Sequence, residues 1–298
     1  MEPIEDSWNF AEGDRITSAL VAVRRLGGGA AYDAYLAFDE VTWGPVVVKV
    51  LRPAQVANPS SLRGLHREVA ALEAVNHPVV VRKLRHSFEE DRPHLVLESI
   101  DGPRLSTLLR RHGPLQPAQY LPLAIDIASA LQYLRHIGHV HLDIKPSNVI
   151  MGAPARLIDL SLARTESAAA DLDHPIGTDS YMAPEQASPS AQRGPRTGSP
   201  TYASDVFGLS ATLFEAVAGY RPYDDGDPDG ALPEDQWPQL VEAPYGLPGA
   251  VPAPVAKLVL AGLEREPENR PTPIEIAEGL EPVYAQLPKG RLAGFKVR

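Results

Sequence analysis

The pattern of apolar residues changes near residue 100, and this change constrains the fold more than any other feature of the sequence. Before it, the chain is rich in β-strand signals: Val46–Leu51 is a β-branched run that carries one lysine, and His94–Leu97 is another short apolar run. After Gly102 the apolar residues recur at helical spacing. We therefore expect an α+β protein with a small β-rich lobe, a boundary near Glu98–Gly102, and a helical lobe after it.

Helices are predicted on both sides of this boundary. Asn58-Pro59 is a typical helix start, and Leu62, Leu65, Val69 and Leu72 follow it on one face of the helix. After the boundary, two apolar stripes have the same helical spacing. The first consists of Leu123, Ile127, Leu131 and Leu134, and the second consists of Val206, Leu209, Leu213 and Val217.

Composition excludes several classes of protein. The 298 residues carry 28 basic and 38 acidic side chains, a net charge of −10, which disfavours a nucleic-acid partner because such proteins present a basic surface. No apolar run approaches the ~20 residues that cross a bilayer, and the acidic start of the chain lacks the apolar core of a signal peptide. There are no cysteines, so disulfides are excluded. We expect a cytoplasmic protein with no membrane or nucleic-acid partner.

One stretch of the predicted helical lobe combines acidic, basic and amide side chains at short spacing. Within His139–Asn148, Asp143 precedes Lys145 and Asn148, and Asp159 follows after a short apolar run. An aspartate can accept a proton from an attacking hydroxyl, and a lysine can neutralise charge on a moving phosphoryl group. Amide and carboxylate oxygens are ligands that Mg²⁺ prefers. The stretch indicates a phosphotransferase but leaves open whether its substrate is a protein or a small molecule.

Two further features, both in the predicted β-rich lobe, are compatible with phosphate binding. Three successive glycines follow Leu26, and glycines allow the backbone to approach a phosphate closely; a plain hairpin turn is the alternative. Lys49 lies within an apolar strand, where a buried ammonium needs an anionic partner such as Glu68 on the next helix. The alternative is that Lys49 points to solvent from an edge strand.

Taken together, the motifs resemble those of the eukaryotic-type (Hanks-type) serine/threonine protein kinases common in bacteria. The resemblance runs in order from about Leu20 to Leu280, and its motifs are Leu26-Gly27-x-Gly29, Val46-Val-Val-Lys49, Arg67-Glu68, Asn76-His77-Pro78, Leu95–Glu98, His141–Asn148, Asp159-Leu-Ser161, Gly177–Glu185, Ser204-Asp205 and Glu266–Pro271. It implies a bilobal protein-kinase fold, with a five-stranded antiparallel sheet and one main helix in the small lobe. The implied kinase domain is 1–288, with a small lobe at about 14–98, a hinge at about 98–102, a large lobe at about 103–288 and a short basic tail at 289–298.

The resemblance also implies roles for individual residues and the cofactors ATP and Mg²⁺ (or Mn²⁺). Asp143, Lys145, Lys49 and Glu68 would be catalytic, Asn148 and Asp159 would bind the metal, and Thr178 would lie in the substrate loop. The ATP-binding set would be Leu26, Gly27, Gly28, Gly29, Ala34, Val47, Lys49, Leu97, Glu98, Ile100 and Ile150. Structural roles fall to the ion pair of Glu185 with Arg270 and to Asp205, while Leu72, Leu84, His141 and Leu160 would stack across the lobes or form ordinary core.

The sequence departs from the family pattern at three single residues and in one loop. Tyr32 replaces the third glycine of the phosphate loop, and Ser161 replaces the glycine after Asp159. Leu142 stands where the family has an arginine that pairs with an activation-loop phosphate, so we expect activity to depend little on such phosphorylation. The loop Ala187–Pro200 is longer than its counterpart, and it either shapes substrate choice or is a surface insertion. Thr165 and Ser167 are expected to be exposed spacer residues.

The predicted function is an ATP- and Mg²⁺-dependent protein serine/threonine kinase in signalling. One alternative is a pseudokinase that acts as a nucleotide-binding scaffold or allosteric switch, and a second is a small-metabolite kinase. The predicted partners are a protein with a serine or threonine acceptor and, by analogy with related kinases, a transient homodimer through the small lobe.

Overall fold

The computed structural model describes residues 6–187, 198–288, 291–292 and 295–296, and the chain forms two compact units. The first unit contains the chain up to Asp101 together with Ile158–Ala163. The second contains Gly102–Leu157 and the chain from Arg164 onward. The chain thus passes from one unit to the other within the stretch where the sequence pattern changes.

The first unit is built on a five-stranded antiparallel sheet with strand order β1-β2-β3-β5-β4. Burial alternates along β2, where Asp33, Tyr35, Ala37 and Asp39 face a covered side, as expected for a strand with one face in the core. The strands are β1 (Leu20–Gly28), β2 (Tyr32–Asp39), β3 (Gly44–Leu51), β4 (Lys83–Ser87) and β5 (His94–Glu98).

The covered face of this sheet packs against the segment that precedes β1. Trp8 and Phe10 lie against the core cluster that includes Tyr35, and the indole of Trp8 donates to the carbonyl of Leu51 at 2.7 Å. The guanidinium of Arg92 lies over both aromatic rings. The side chains of β2 and β3 that the sequence predicts to bind the nucleotide therefore lie on the other face of the sheet.

The main helix of the first unit, α1 (Pro59–Ala74), begins where the sequence predicts. The side chain of Asn58 accepts a hydrogen bond from the backbone N–H of Ser60 at 2.9 Å, an N-cap that contributes about 1 kcal/mol to helix stability. On the predicted face Leu65, Val69 and Leu72 are buried. The α1 face is thereby directed toward the core, and it carries Glu68 with it.

The second unit is mainly helical, and both predicted stripes lie on buried faces. The stripe of Leu123 to Leu134 is on α3, and that of Val206 to Val217 is on α6, which is buried all around from Ala203 to Phe214, as is typical of a central helix. The helices are α2 (Leu105–His112), α3 (Pro117–His136), α4 (Glu166–Ala170), α5 (Pro184–Ala187), α6 (Tyr202–Ala218), α7 (Pro233–Gln236), α8 (Ala253–Gly262) and α9 (Pro273–Ala285).

Short antiparallel strand pairs complete the second unit. β6 (His139–Val140) pairs with β9 (Arg164–Thr165), and β7 (Val149–Ile150) pairs with β8 (Arg156–Leu157). Near the end of the chain β10 (Arg291–Leu292) pairs with β11 (Phe295–Lys296). The segment from the end of β6 to the start of β7 carries the acidic, basic and amide side chains of the predicted phosphotransferase motif.

The α+β fold class predicted from the sequence is confirmed, with a five-stranded sheet in the first unit and helices in the second. The predicted insertion at 187–200 falls largely outside the described residues, as does much of the predicted tail at 289–298. Among the residues that the structure describes, none of the helices has the length and apolar character needed to span a bilayer.

Candidate active site

Lys49 is a buried cation held by two carboxylates of the first unit. Its strand, β3, lies inside the sheet, and Lys49 pairs with Ala34 of β2 and Leu95 of β5. Its Nζ is 2.5 Å from Oε1 of Glu68 and 2.8 Å from Oδ1 of Asp159. The alternative of a solvent-exposed lysine on an edge strand is therefore wrong.

Burial and charge act in opposite directions on this cluster. Burial by itself lowers the pKa of Lys49, but the carboxylates of Glu68 and Asp159 outweigh it and raise the pKa above its ordinary value. Burial raises the pKa of Glu68, against the opposing effect of the ammonium of Lys49. Lys49 therefore carries its positive charge at neutral pH.

Tyr32 covers the ammonium of Lys49. Nζ of Lys49 lies 4.8 Å from the centroid of the Tyr32 ring, within the range of a cation–π interaction. Burial raises the pKa of Tyr32, although the charge of Lys49 opposes this shift. The departure from the glycine pattern thus places a neutral aromatic ring on the group that would bind phosphates.

The face of the sheet around Lys49 is apolar and partly open. Val47 lies opposite Leu97 of β5 in the register, and Ala34 lies opposite Lys49, so these side chains share one face. Ala34 and Val47 are half-buried, as is Leu26 at the end of β1. Such a surface suits a flat aromatic base.

The remaining predicted ATP contacts come from backbone groups and from the second unit. The N–H of Glu98 donates to the carbonyl of Arg82 at 3.0 Å. Ile100 follows β5 and is half-buried. Ile150 ends β7 in the second unit and makes a bridge to Arg104.

The glycine stretch forms the end of β1 and the start of the tight turn to β2. The N–H of Gly29 donates to the carbonyl of Tyr32 at 2.9 Å. A Cβ on Gly28 would lie 2.5 Å from the same carbonyl, so a side chain there would clash, and Gly27 has φ of +143°. The geometry of the hairpin is therefore one reason why this stretch needs glycine.

In the second unit, four predicted residues form one hydrogen-bonded cluster. The hydroxyl of Thr178 donates to Oδ1 of Asp143 at 2.7 Å and accepts from Nζ of Lys145 at 2.5 Å. Lys145 also contacts Oδ2 of Asp143 at 2.8 Å. Nδ2 of Asn148 donates to the same carboxylate at 2.9 Å and to the Asp143 carbonyl at 3.0 Å. Both carboxylate oxygens of Asp143 are thereby oriented by neighbouring donors.

Asp205 of α6 holds the backbone just before Asp143. Its two oxygens accept from the N–H groups of His141 and Leu142, each at 2.7 Å, and all three residues are buried. Burial raises the pKa of Asp205 to about 7, although these two N–H groups act in the opposite direction. Leu142 has φ of +65°, a left-handed conformation that is costly for a branched side chain. The predicted catalytic stretch, His141–Asn148, is therefore fixed by backbone contacts as well as by its own side chains.

Glu185 and Arg270 form a buried bidentate ion pair in the second unit. The two guanidinium–carboxylate distances are 2.7 and 2.8 Å. Ser204 also donates to Glu185 at 2.6 Å, and Arg270 donates to backbone carbonyls, among them that of Ala203 at 2.9 Å. Because every polar atom of the pair has a partner, the contact links α5 to the segment before α9 without an uncompensated charge.

One residue was assigned incorrectly from the sequence, and another residue of structural importance was missed. Leu84, expected in the stack or in ordinary core, is 39% exposed and lies where the β4–β5 register is interrupted. Gln186, which drew no prediction, is buried and bonds through its side chain to the carbonyls of Leu142 and Ile176. The apolar spacing that finds core residues gives no signal for a buried amide of this kind.

The donor sets suit a magnesium-chelated nucleoside triphosphate. Lys49 supplies a charged ammonium inside an apolar strand, which matches the anionic phosphates. Asn148 engages its amide nitrogen with Asp143, and its amide oxygen is a hard ligand of the type Mg²⁺ prefers. In the first unit, the side chain of Asp159 is 25% exposed, and its carboxylate oxygens are of the same hard type. Mg²⁺ in such sites is commonly held by one or two protein oxygens together with phosphate oxygens.

Comparison with known proteins finds one matching family and several similar kinases. The family described as "Protein kinase domain" matches residues 20–280. Serine/threonine-protein kinase PrkC of Bacillus subtilis is 28% identical over 274 residues, covering 90% of this chain and 40% of the relative. Serine/threonine-protein kinase PknB of Mycobacterium tuberculosis is 30% identical, covering 82% of this chain and 39% of the relative. Serine/threonine-protein kinase PkaA of Streptomyces coelicolor is 32% identical, covering 80% of this chain and 43% of the relative. The chain thus spans about two fifths of the length of these relatives.

Proposed function

Because this chain belongs to the protein kinase family, we propose that it transfers the γ-phosphoryl group of Mg²⁺-bound ATP to a serine or threonine hydroxyl of a protein substrate. The observation that carries the proposal is the cluster in which Asp143 accepts from Thr178 and contacts Lys145. The prediction of a bacterial-type serine/threonine kinase domain is confirmed by the family match and by the names of the relatives. The predicted enzyme class agrees with both.

Asp143 is the residue that orients the acceptor hydroxyl and accepts its proton. A general base must be within hydrogen-bond reach of the proton it takes, and Asp143 already accepts one hydroxyl hydrogen bond, from Thr178. Lys145 is adjacent to the same carboxylate and supplies positive charge beside it. The two residues therefore position the acceptor and stabilise negative charge, which are the main tasks of an enzyme in phosphoryl transfer.

Nucleotide binding falls to the first unit in this proposal. Lys49, fixed by Glu68, would contact the phosphates, while Val47 and Leu97 would contact the adenine ring. Asn148 and Asp159 would hold the metal ion. Mg²⁺ supplies charge neutralisation on the triphosphate when it is bound.

We further propose that activity does not require phosphorylation of the activation segment, which is the stretch between Asp159 and Glu185. Leu142 is apolar and 2% exposed, so it provides no cation for a phosphate. Thr165, one of the hydroxyl residues of this segment, is the N-cap of α4 and accepts from the N–H of Ala168 at 3.3 Å. The hydroxyl of Thr165 is thus already used in the unmodified protein.

The two alternative functions have less support. A pseudokinase scaffold has no physical need for a hydrogen-bonded set of Asp143, Lys145 and Asn148, yet the set is complete. A small-metabolite kinase would not require Thr178 beside the catalytic aspartate, in a segment that in protein kinases contacts a peptide. The proposal also includes the protein substrate, a transient homodimer through the small lobe and a cytoplasmic location.

The proposal is tested by separating nucleotide binding from transfer. Lys49→Met should weaken Mg²⁺–ATP binding and transfer together, whereas Asp143→Asn should bind the nucleotide like the wild type but lose transfer. Binding is measured by calorimetry and transfer with labelled ATP and a generic protein acceptor. Equal transfer by the wild type and Asp143→Asn would contradict the assigned roles.

A further inference from the structure

Gln186 joins three backbone segments of the second unit through one buried side chain. It belongs to α5 and is 2% exposed. Its Nε2 donates to the carbonyl of Leu142 at 3.0 Å and to that of Ile176 at 2.9 Å, and its Oε1 accepts from the N–H of Ala183 at 3.2 Å. Both amide hydrogens and the amide oxygen are therefore used, as a buried amide requires.

The two carbonyls that Gln186 binds belong to residues close to the catalytic cluster. Leu142 immediately precedes Asp143, and Ile176 lies two residues before Thr178. Asp143 and Thr178 are joined by a hydrogen bond of 2.7 Å. Gln186 thus holds the backbone on both sides of this contact.

The backbone around Gly177 confirms how closely these segments approach. Gly177 has φ of +132°, and a Cβ built on it would lie 3.0 Å from the Leu142 carbonyl oxygen and 3.2 Å from Nε2 of Gln186. A side chain at 177 would therefore push against the bridge. The glycine and the amide together allow the activation segment to lie directly against the catalytic stretch.

We propose that Gln186 is a positioning residue that fixes the activation segment to the catalytic stretch by neutral hydrogen bonds. It performs here the ordering that an arginine and an activation-loop phosphate perform in the family pattern, since Leu142 cannot bind a phosphate. This inference rests on the proposed kinase function, including activity without phosphorylation of the activation segment. Because the hydrogen bonds of Gln186 join neutral groups, they contain no titrating side chain. Phosphatase treatment should therefore leave them unchanged.

The test compares Gln186→Met with a matched control, Gln239→Met. Gln239 is also buried, and its Nε2 donates to the carbonyls of Asp179 at 2.8 Å and Met182 at 3.0 Å, but it does not contact the catalytic stretch. Both variants remove one buried amide and should lower the melting temperature by similar amounts. We expect Gln186→Met to reduce kcat about tenfold or more with an unchanged KM for ATP, because small displacements of reacting groups have effects of this size. Gln239→Met should keep kcat within about twofold of the wild type.

A second measurement does not depend on catalysis. Hydrogen exchange of peptides within 170–178, which exclude the Gln239 partners Asp179 and Met182, should be faster in Gln186→Met than in Gln239→Met. Phosphatase treatment of the wild type should leave the exchange of these peptides unchanged. Equal exchange and equal kcat in the two variants would overturn the positioning role. If the wild type itself transferred no phosphoryl group, the proposed function would fail, while the exchange result would still decide the role of Gln186.

Discussion

The ring of Tyr32 lies over the ammonium of Lys49, with 4.8 Å between Nζ and the ring centroid. In the family pattern this position is a glycine, which leaves the lysine uncovered. The same ammonium is also held by Glu68 and Asp159. In the proposed function, a triphosphate would therefore compete with an aromatic ring for Lys49.

Removing the ring should strengthen nucleotide binding. We expect Tyr32→Ser to lower the Kd for Mg²⁺–ATP about twofold to thirtyfold, since a partly desolvated cation–π contact is worth about 0.5–2 kcal/mol. Tyr32→Phe keeps the ring and should stay within about twofold of the wild type. Calorimetric titration measures both, and weaker binding by Tyr32→Ser would show that the ring assists the nucleotide instead.

Lys145 should matter for transfer and not for nucleotide binding. Lys145→Met removes the ammonium from Asp143 and Thr178, and we expect kcat to fall about 100-fold while the KM for ATP stays unchanged. Lys257→Met is the control, because Lys257 is exposed on α8. Steady-state kinetics with a protein acceptor provide the measurement. A fall in ATP affinity without a change in kcat would contradict the assignment.

Asp205 should contribute to stability through the backbone that it holds. Asp205→Ala leaves the N–H groups of His141 and Leu142 buried without an acceptor, so the free energy of unfolding should decrease by about 2–5 kcal/mol. Urea unfolding at pH 7 measures the change. A decrease below about 1 kcal/mol would mean that these N–H groups find other partners.

The same residue should give a pH-dependent stability difference. Burial raises the pKa of Asp205 from its usual 3.8 to about 7, so between these values the native state binds a proton that the unfolded chain does not. The native protein should therefore lose stability as pH rises through this window, by at most ~1.4 kcal/mol per pH unit, relative to Asp205→Ala. The stability difference between wild type and variant, measured at pH 5, 6, 7 and 8, should shrink up to pH 7 and then level off. A difference that grows with pH would show that the native carboxylate is preferentially ionised.

The sequence predicts the elements of this fold well because their signals are local. The β-branched run that contains Lys49, the cap Asn58 and the helical stripe from Leu123 to Leu134 all correspond to the expected strand, helix start and buried helix face. The short spacing from Asp143 to Asn148 likewise predicts a local cluster, and these side chains do lie in contact.

Contacts that depend on tertiary packing could not be obtained in this way. The bridge from Gln186 to Leu142 spans 44 positions, and no spacing rule links a glutamine to carbonyls that far away. The exposure of Leu84 follows from an interruption in strand register, which apolar periodicity does not reveal. The sequence shows that Tyr32 replaces a glycine, but only the fold brings its ring onto Lys49.

The most direct test of the account is phosphoryl transfer by phosphatase-treated protein. Wild type and Asp143→Asn are each incubated with Mg²⁺ and γ-labelled ATP, and the label on serine and threonine is measured. The account predicts label with the wild type, at a rate that prior phosphatase treatment does not change, and none with Asp143→Asn. Nucleotide binding by the wild type without any labelled protein would contradict it.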